Sequence, residues 1–113
     1  MKKCVFMYDD FSDRLFISCK KNSDKIYGSV RVLDLTIDFT TDNVPVNFEI
    51  RGASKYLKSI GLDSKILNKL TNVEVVFKQK GDGYLIYFIL YSGKQIERIH
   101  YNIIHVEQKL MPF

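Results

Sequence analysis

The chain has 113 residues, which is room for one domain, and 46% of them are hydrophobic and 27% charged, a balance that excludes disordered and collagen-like classes. The 17 basic and 13 acidic side chains leave a net charge of +4, which permits weak attraction to nucleic acid without requiring it. The longest apolar run, residues 84–91, is too short for a membrane helix. Asp9 and Asp10 interrupt any signal-peptide core, so we expect a single cytoplasmic domain spanning residues 1–113.

Residues 3–8 and 14–19 predict an opening hairpin, and in one register Cys4 and Cys19 face each other. Because the cytoplasm keeps thiols reduced, we expect two buried, reduced thiols rather than a disulfide.

The loop of this hairpin carries three acidic residues. They fit a site for a hard cation, or they accept hydrogen bonds from turn amides. We favour the second interpretation, because no EF-hand spacing or bidentate glutamate follows, and we expect no metal site. The three residues are Asp9, Asp10 and Asp13.

Residues 35–57 predict a strand, a tight turn, a second strand and the start of a helix. Apolar residues alternate with polar ones in both strands, as in strands that are buried on one face. One register places all the apolar side chains on one face. The expected pairs are Leu35 with Ile50, Ile37 with Phe48 and Phe39 with Val46. The other face carries the carboxylates of Asp34, Asp38 and Glu49. We interpret them as an ordinary exposed strand surface, and the alternative is a pair of carboxylates for acid-base chemistry.

Two short helices follow this hairpin. The first runs from Ala53 to a C-terminal cap at Gly61, and the second begins at Asp63 or Ser64. Four lysines lie on their outer faces, either as a solvated surface or as a patch that binds phosphates through salt-dependent attraction. This possible nucleic-acid patch consists of Lys55, Lys58, Lys65 and Lys69.

The last third of the chain predicts a three-stranded meander with glycine-bearing turns at residues 81–83 and 93–94. Its middle strand is apolar on both faces. A three-residue first turn places Val76 on one face with Ile86 and Phe88. It places Val73, Val75 and Phe77 on the other face, with the remaining alternate residues of the middle strand. A two-layer domain needs only one apolar face, so either the short helices and the N-terminal strands cover both faces between them, or a second copy of the chain covers one. We expect the second copy, in a homodimer through the second face. Its middle-strand residues are Leu85, Tyr87, Ile89 and Tyr91.

Conventional catalytic signatures are absent from the sequence. His100 and His105 are five residues apart on a predicted strand and therefore face opposite sides. No nucleophile elbow, P-loop, dinucleotide fingerprint or C-x-x-C occurs. We expect no cofactor and no conventional enzyme.

The opening Y-D-x-x-x-D-x-L-F-I motif (residues 8–17), the D-N turn (42–43), the strand end Glu49-Ile50 and the helix start Ala53-Ser54-Lys55 resemble a family of short bacterial and archaeal proteins, domain of unknown function 2283. The resemblance covers residues 4–60, and residues 63–113 extend beyond it. It implies antiparallel strands followed by a helix. It also implies an antitoxin-like or partner-binding role, because members look as if they sometimes sit beside small toxin-like proteins.

Together these patterns predict an α+β fold: an N-terminal hairpin, a central hairpin and a C-terminal meander, with two short helices before the meander. The preferred function is a non-enzymatic protein-interaction module that binds itself or another small protein. A nucleic-acid-binding or antitoxin-like regulator that uses the four lysines is the alternative. An enzyme with an unrecognised site is the second alternative.

Overall fold

The computed structural model describes residues 2–81, 83–103 and 111–112, with only the backbone described at residues 2, 3, 80, 102, 103, 111 and 112. Among these residues the protein is mostly antiparallel sheet, curled into a half-barrel, with two short helices. The predicted α+β class is therefore wrong. The helices are too short to form a layer of their own, and the sheet covers its apolar face by curling over it.

The described elements follow the chain in this order: β1 (Lys2–Asp9), β2 (Arg14–Ser18), β3 (Ile26–Val32), β4 (Leu35–Thr40), β5 (Pro45–Arg51), α1 (Ala53–Ser59), a 3₁₀ helix (Ser64–Lys69), β6 (Asn72–Lys80), β7 (Gly83–Ser92), β8 (Gln95–Ile103) and β9 (Met111–Pro112).

Within the described residues, these strands form one antiparallel sheet in the order β8-β7-β6-β1-β2-β5-β4-β3-β9. Strand β1 joins its two halves. Its first residues pair with β6, with Cys4 opposite Val73, and its later residues pair with β2, with Phe6 opposite Ile17. The sheet turns at this strand and folds its two halves over one core.

Aromatic contacts connect the two halves across the core. The ring of Phe48 on β5 meets that of Phe88 on β7 edge-on, with centroids 5.1 Å apart, and Phe39 on β4 lies near Tyr84 on β7. Burial of each large apolar side chain contributes roughly 1.5 to 3 kcal/mol. The other fully buried large side chains include Leu15, Ile17, Leu35, Ile37, Ile50, Leu57, Ile66, Ile86, Leu90 and Ile99.

The central hairpin keeps most of its predicted register. Leu35 pairs with Ile50 and Ile37 with Phe48, as expected, but a bulge after Asp38 places Phe39 opposite Pro45 instead of Val46. Strand β3, which is absent from the predicted elements, pairs with β4; Val30 and Val32 alternate with Ser29 and Arg31 over only four residues. Its polar and glycine residues hide the pattern, although Val30 is buried.

The first turn of the meander differs from the prediction by one residue. Lys80 pairs with Gly83, so the turn has two residues rather than three. A one-residue shift sends every side chain of a strand to the other face. Val73, Val75 and Phe77 therefore share the inner face with Ile86 and Phe88, and Val76 lies outside.

Both predicted caps of the helical segment are confirmed. At the end of α1, Gly61 adopts φ +81 and its N-H donates to the Lys58 carbonyl, while the Leu62 N-H donates to the Leu57 carbonyl. This pattern is a Schellman cap. The Asp63 carboxylate accepts from the Lys65 N-H and caps the 3₁₀ helix.

The two cysteines form a disulfide, so the predicted reduced thiols are wrong for this structure. The β1–β2 register places Cys4 and Cys19 opposite each other, with Cα atoms 4.5 Å apart, within the range that a disulfide spans. The bond lies where β1 passes from one half of the sheet to the other.

Candidate functional site

The outward surface of β6, β7 and β8, which we call the meander face, is rich in apolar and aromatic side chains. The predicted dimer residues of β7 share this face, because alternate residues of a strand point the same way. Val76 of β6 and Ile96 of β8 join them, and Ile96 is 54% exposed. The four β7 residues are Leu85, Tyr87, Ile89 and Tyr91.

Contacts between side chains of the meander face hold these side chains in fixed positions. Ile89 is only 6% exposed, although it lies outside the main core. The Tyr91 hydroxyl donates a hydrogen bond to the Glu74 carboxylate, and this bond is the main cause of the raised pKa of Tyr91. The ring of His100 meets that of Tyr87 edge-on, at 4.6 Å. The face is therefore an ordered apolar surface with charges at its sides.

Charges of opposite sign flank the centre of the meander face. Ile89 lies opposite Glu74 on β6 and opposite Arg98 on β8, so the three side chains form one row across the strands. Adjacent strands are about 4.8 Å apart, which places the carboxylate and the guanidinium on either side of an apolar centre.

A second surface, which we call the groove, lies on the outward side of β1, β2, β5 and β4 and has a volume of about 540 Å³. Strand register arranges its side chains in two rows across the strands. One row is Met7, Phe16, Glu49 and Thr36. The other row is Val5, Ser18, Asn47 and Asp38.

The polar end of the groove is held by hydrogen bonds. The Ser18 hydroxyl lies 2.7 Å from Asn47 Oδ1 and donates to it, and Asn47 Nδ2 donates to Asp38 Oδ2 at 3.1 Å. Glu49 pairs with Arg14 at 3.4 Å. Within the described residues, the other carboxylate oxygen of Asp38 accepts no hydrogen bond. At the opposite end, Val5 and Met7 are 73% and 58% exposed, so the groove runs from apolar to acidic.

Sequence reasoning identified the wet carboxylates of the central hairpin but missed the groove. Asp38 and Glu49 share it, whereas Asp34 lies before β4 and its carbonyl accepts from the Arg51 N-H. The available signal was the outward alternation of Val5 and Met7 on the first strand, which the order of strands then brings next to β2 and β5.

The four lysines of the helical segment are all exposed. The 3₁₀ helix packs against α1, so both helices belong to one surface. The ion pair found in the described part of the chain is that of Arg14 with Glu49, and it involves none of these lysines. The four side chains are therefore available to solvent: Lys55, Lys58, Lys65 and Lys69.

The acidic loop serves the fold. Asp9 accepts from the Phe11 N-H and the Ser12 hydroxyl, which confirms the predicted role in the turn. Asp13, at φ +55, reaches further, and its carboxylate accepts from the Ser54 N-H at 2.9 Å, the Ser54 hydroxyl at 2.8 Å and the Tyr8 hydroxyl at 2.6 Å. It caps the start of α1 from a distant turn.

Titration of the acidic loop follows from these contacts. Burial alone would raise the pKa of the Asp13 carboxyl, but the hydrogen bonds from Tyr8 and Ser54 outweigh it and hold the pKa below its usual value. Burial, followed by the bond to Asp13, raises the pKa of Tyr8 to about 12. Asp13 therefore stays a charged hydrogen-bond acceptor at neutral pH.

Two buried polar atoms lack a hydrogen-bond partner among the described residues, the Tyr101 hydroxyl and Arg51 Nε. The Tyr101 ring stacks on that of Tyr56, with centroids 5.2 Å apart. Burial raises the pKa of Tyr101, and neighbouring Tyr56 adds to this. Tyr101 therefore remains neutral and contributes to packing.

Metal-ligating residues do not cluster in the described part of the chain, which holds no group of three His, Cys, Asp or Glu residues suited to a metal ion. His100 is exposed, and His105 lies outside the described residues. No described helix has both the length and the apolar character to span a membrane.

Comparisons with known proteins find no matching family model, no matching curated protein and no matching solved structure. The resemblance of residues 4–60 to domain of unknown function 2283 has no support from them and stays a prediction.

Proposed function

We propose that the protein is a non-enzymatic interaction module that pairs with a second copy of itself through the meander face. The observation that carries this proposal is the row Glu74, Ile89 and Arg98, in which an apolar centre is flanked by opposite charges. Around the buried Ile89, Leu85, Tyr87 and Tyr91 are partly exposed and Ile96 is 54% exposed, and apolar surface of this kind favours a partner. A two-fold contact is the commonest way to cover it.

The charge row suits a two-fold contact in particular. A two-fold axis along β7, lying between two facing copies, exchanges β6 with β8. It places Glu74 of one copy opposite Arg98 of the second copy, and this happens twice, on either side of the β7 strands at the centre. Facing sheets pack about 10 Å apart, a distance that these long side chains bridge. A surface with charges of one sign would repel its own copy.

The test is a charge exchange followed by light scattering across a concentration series. The natural chain should have about twice its 13.2 kDa mass. Glu74→Arg and Arg98→Glu should each give monomers, since each places like charges together. The double variant should dimerise again, because the attractive pairs return with their signs exchanged.

The matched control is Leu33→Asp, which places a charge on an exposed apolar residue in the β3–β4 turn and should leave the dimer unchanged. A natural chain that stays monomeric at high concentration would refute the dimer. Dimers that persist in both single variants would place the contact elsewhere. Co-purification of a different small protein on this face would replace the second copy as partner.

The alternative function is a nucleic-acid-binding or antitoxin-like regulator. It is favoured by the exposure of the four helical lysines and by the local charge balance, because Asp63 is the only acidic residue in residues 53–70. Its carboxylate is already bound to the Lys65 N-H. Lysines that neutralise phosphates release counterions, so binding should weaken steeply with salt.

A fluorescent 20-base-pair DNA duplex and a single-stranded RNA of the same length test this alternative. Replacement of Lys55, Lys58, Lys65 and Lys69 by Gln should abolish binding. The control replaces four exposed lysines elsewhere, Lys20, Lys21, Lys25 and Lys94, and should retain most of it. Equal losses in both variants would indicate general charge attraction, and no binding at low salt would exclude the regulator.

The cytoplasm is the location proposed from the sequence. The Cys4–Cys19 disulfide supports an oxidising compartment instead, because disulfides seldom persist among cytosolic reductants. Alkylation of thiols in intact source cells, followed by mass spectrometry of the protein, distinguishes the two. Blocked thiols at both cysteines would support the cytoplasm, and an intact disulfide would contradict a reducing location.

A further inference from the structure

We propose that the groove binds an extended segment of a partner protein that presents an apolar side chain and, three or four residues away, a lysine or arginine. The inference rests on the proposed role as an interaction module, but it uses a different surface from the dimer contact. It assigns Val5, Met7 and Phe16 to the apolar side chain and Asp38 to the cation.

The polarity of the groove selects this ligand chemistry. Its two rows each cross four strands, a length of about 14 Å at 4.8 Å per strand spacing. Apolar side chains lie at the β1 end, and the carboxylate of Asp38 lies on β4. Asn47 fixes Asp38 Oδ2 with a hydrogen bond, which leaves Oδ1 as an oriented acceptor for a charged donor.

The charge of the groove is unbalanced at Asp38. Glu49 is neutralised by Arg14 on the neighbouring strand, whereas Asp38 has no ion-pair partner among the described residues. Arg31 lies on β3 opposite Thr36, beside the other row. The unpaired carboxylate therefore favours a cation at the end of its own row.

The open shape of the groove indicates a chain segment rather than a small molecule. Pockets for small molecules bury most of the ligand surface, whereas this groove lies on a sheet face with Val5 and Met7 largely exposed. An extended chain advances about 3.4 Å per residue, so an apolar residue and a cation three or four positions apart span the groove.

Three synthetic nonapeptides provide the probe. Each has the sequence Gly-Gly-Leu-Val-Gly-Gly-X-Gly-Gly with blocked ends, and X is Lys, Gln or Glu. They are titrated into the full-length protein labelled with ¹⁵N. The Lys peptide should shift the amide signals of Met7, Phe16 and Asp38, and it should bind about fivefold more tightly than the Gln peptide, as expected for an exposed ion pair. The Glu peptide should bind most weakly.

Two variants localise the effect. Asp38→Asn keeps the shape and should remove the preference for Lys over Gln, and Met7→Ser should weaken all three peptides alike. The controls Asp42→Asn and Leu33→Ser alter exposed residues of two turns and should bind like the natural chain. Thermal unfolding of each variant confirms that it is folded.

Absence of groove shifts with all three peptides at millimolar concentration would overturn the proposal. Equal binding of the Lys and Glu peptides would overturn it too, since the groove would then recognise only apolar groups. Groove shifts that depend on protein concentration without peptide would assign it to a second copy instead. The titration is then repeated with Arg98→Glu, which should be a monomer if the meander face is the dimer contact. Groove binding that persists in this variant does not depend on the dimer, and its failure is therefore distinguishable from failure of the dimer.

Discussion

The two halves of the sheet enclose the same core but are held in place by different interactions. In the N-terminal half, the Cys4–Cys19 disulfide joins β1, at the point where it passes between the halves, to the residue after β2, and the cap from Asp13 to Ser54 joins the β1–β2 turn to α1. Strands β6 to β8 have an inner face of packed apolar and aromatic residues such as Phe88. We therefore expect the N-terminal half to respond to reductant and acid, and the C-terminal half to depend on packing.

The comparison also explains why the two outward faces differ. In the N-terminal half, β4 and β5 alternate between apolar and polar residues, so the outward face carries a hydrogen-bonded row with Asn47 at its centre. The apolar side chains of Val5 and Met7 on β1 lie at the other end of this face. In the C-terminal half, β7 is apolar on both faces, and Ile89 lies outside the core. The N-terminal half thus offers polar and apolar groups side by side, whereas the C-terminal half offers a mainly apolar surface.

The largest expected effect is at the contact that joins the halves. Phe88 is fully buried, and its ring meets those of Phe48 and Tyr101. Phe88→Ala should lower the free energy of unfolding by about 3 to 5 kcal/mol, because both halves lose packing at once. Urea denaturation followed by fluorescence and circular dichroism should show one transition in both probes.

The control in the same half is Lys94→Ala, which alters an exposed side chain in the β7–β8 turn and should change the free energy of unfolding by less than about 0.5 kcal/mol. Separate transitions for the two probes in Phe88→Ala would mean that the halves are independent units, and the contrast drawn between them would then describe two domains.

Reduction of the disulfide should have the next largest effect. Cys4 and Cys19 are 15 positions apart, and closing a loop of this length stabilises a protein by about 3 kcal/mol in the chain-entropy model. Dithiothreitol should lower the urea midpoint of the natural chain. The double variant Cys4→Ser and Cys19→Ser should have this lower urea midpoint with or without reductant.

Amide exchange separates the halves in the disulfide experiment. Reduction should speed exchange first in β1, β2 and β5, where Cys19 N-H bonds to the Val46 carbonyl, and least in β7 and β8. Equal acceleration in all strands would show that the disulfide stabilises the whole sheet rather than its N-terminal half.

The Asp13 cap should make the N-terminal half sensitive to acid. The folded pKa of Asp13 lies below its unfolded value, which is near 3.9. The stabilisation is therefore fully present above that unfolded value and is lost as pH falls through the folded pKa. Asp13→Asn, which tolerates the left-handed backbone, should lower the free energy of unfolding at pH 7 by about 1 kcal/mol, because the amide nitrogen cannot accept the hydrogen bonds that a carboxylate oxygen accepts.

The same variant should flatten the loss of stability below pH 4, measured by urea denaturation at several pH values. Asp10→Asn, an exposed neighbour in the same turn, is the control and should keep the natural pH profile. A steep acid loss that persists in Asp13→Asn would assign the acid response to other carboxyl groups.

The sequence predicted the strand pairs that local alternation controls. It failed where the register depends on turn length, or where a surface depends on the order of the strands. Leu35 and Ile37 pair with the predicted residues of β5, because a one-residue shift in register would expose the apolar face of the central hairpin. In β7 both faces are apolar, so a slip carries little penalty, and the glycines at 81 and 83 suit turns of two or three residues. The groove requires β1, β2, β5 and β4 to be adjacent, and this non-local order has no periodicity in the sequence.

The smallest expected effect is that of the Arg14–Glu49 ion pair. Its nitrogen and oxygen atoms are 3.4 Å apart, and the side chains are 45% and 27% exposed, so water screens much of the attraction. A double-mutant cycle with Arg14→Gln and Glu49→Gln should give a coupling of about 0.5 kcal/mol or less in low salt, and less again in 0.5 M NaCl. A coupling above about 1 kcal/mol that salt does not reduce would contradict this. A small coupling would mean that the disulfide and the Asp13 cap, rather than surface charge, distinguish the N-terminal half of the sheet from the C-terminal half.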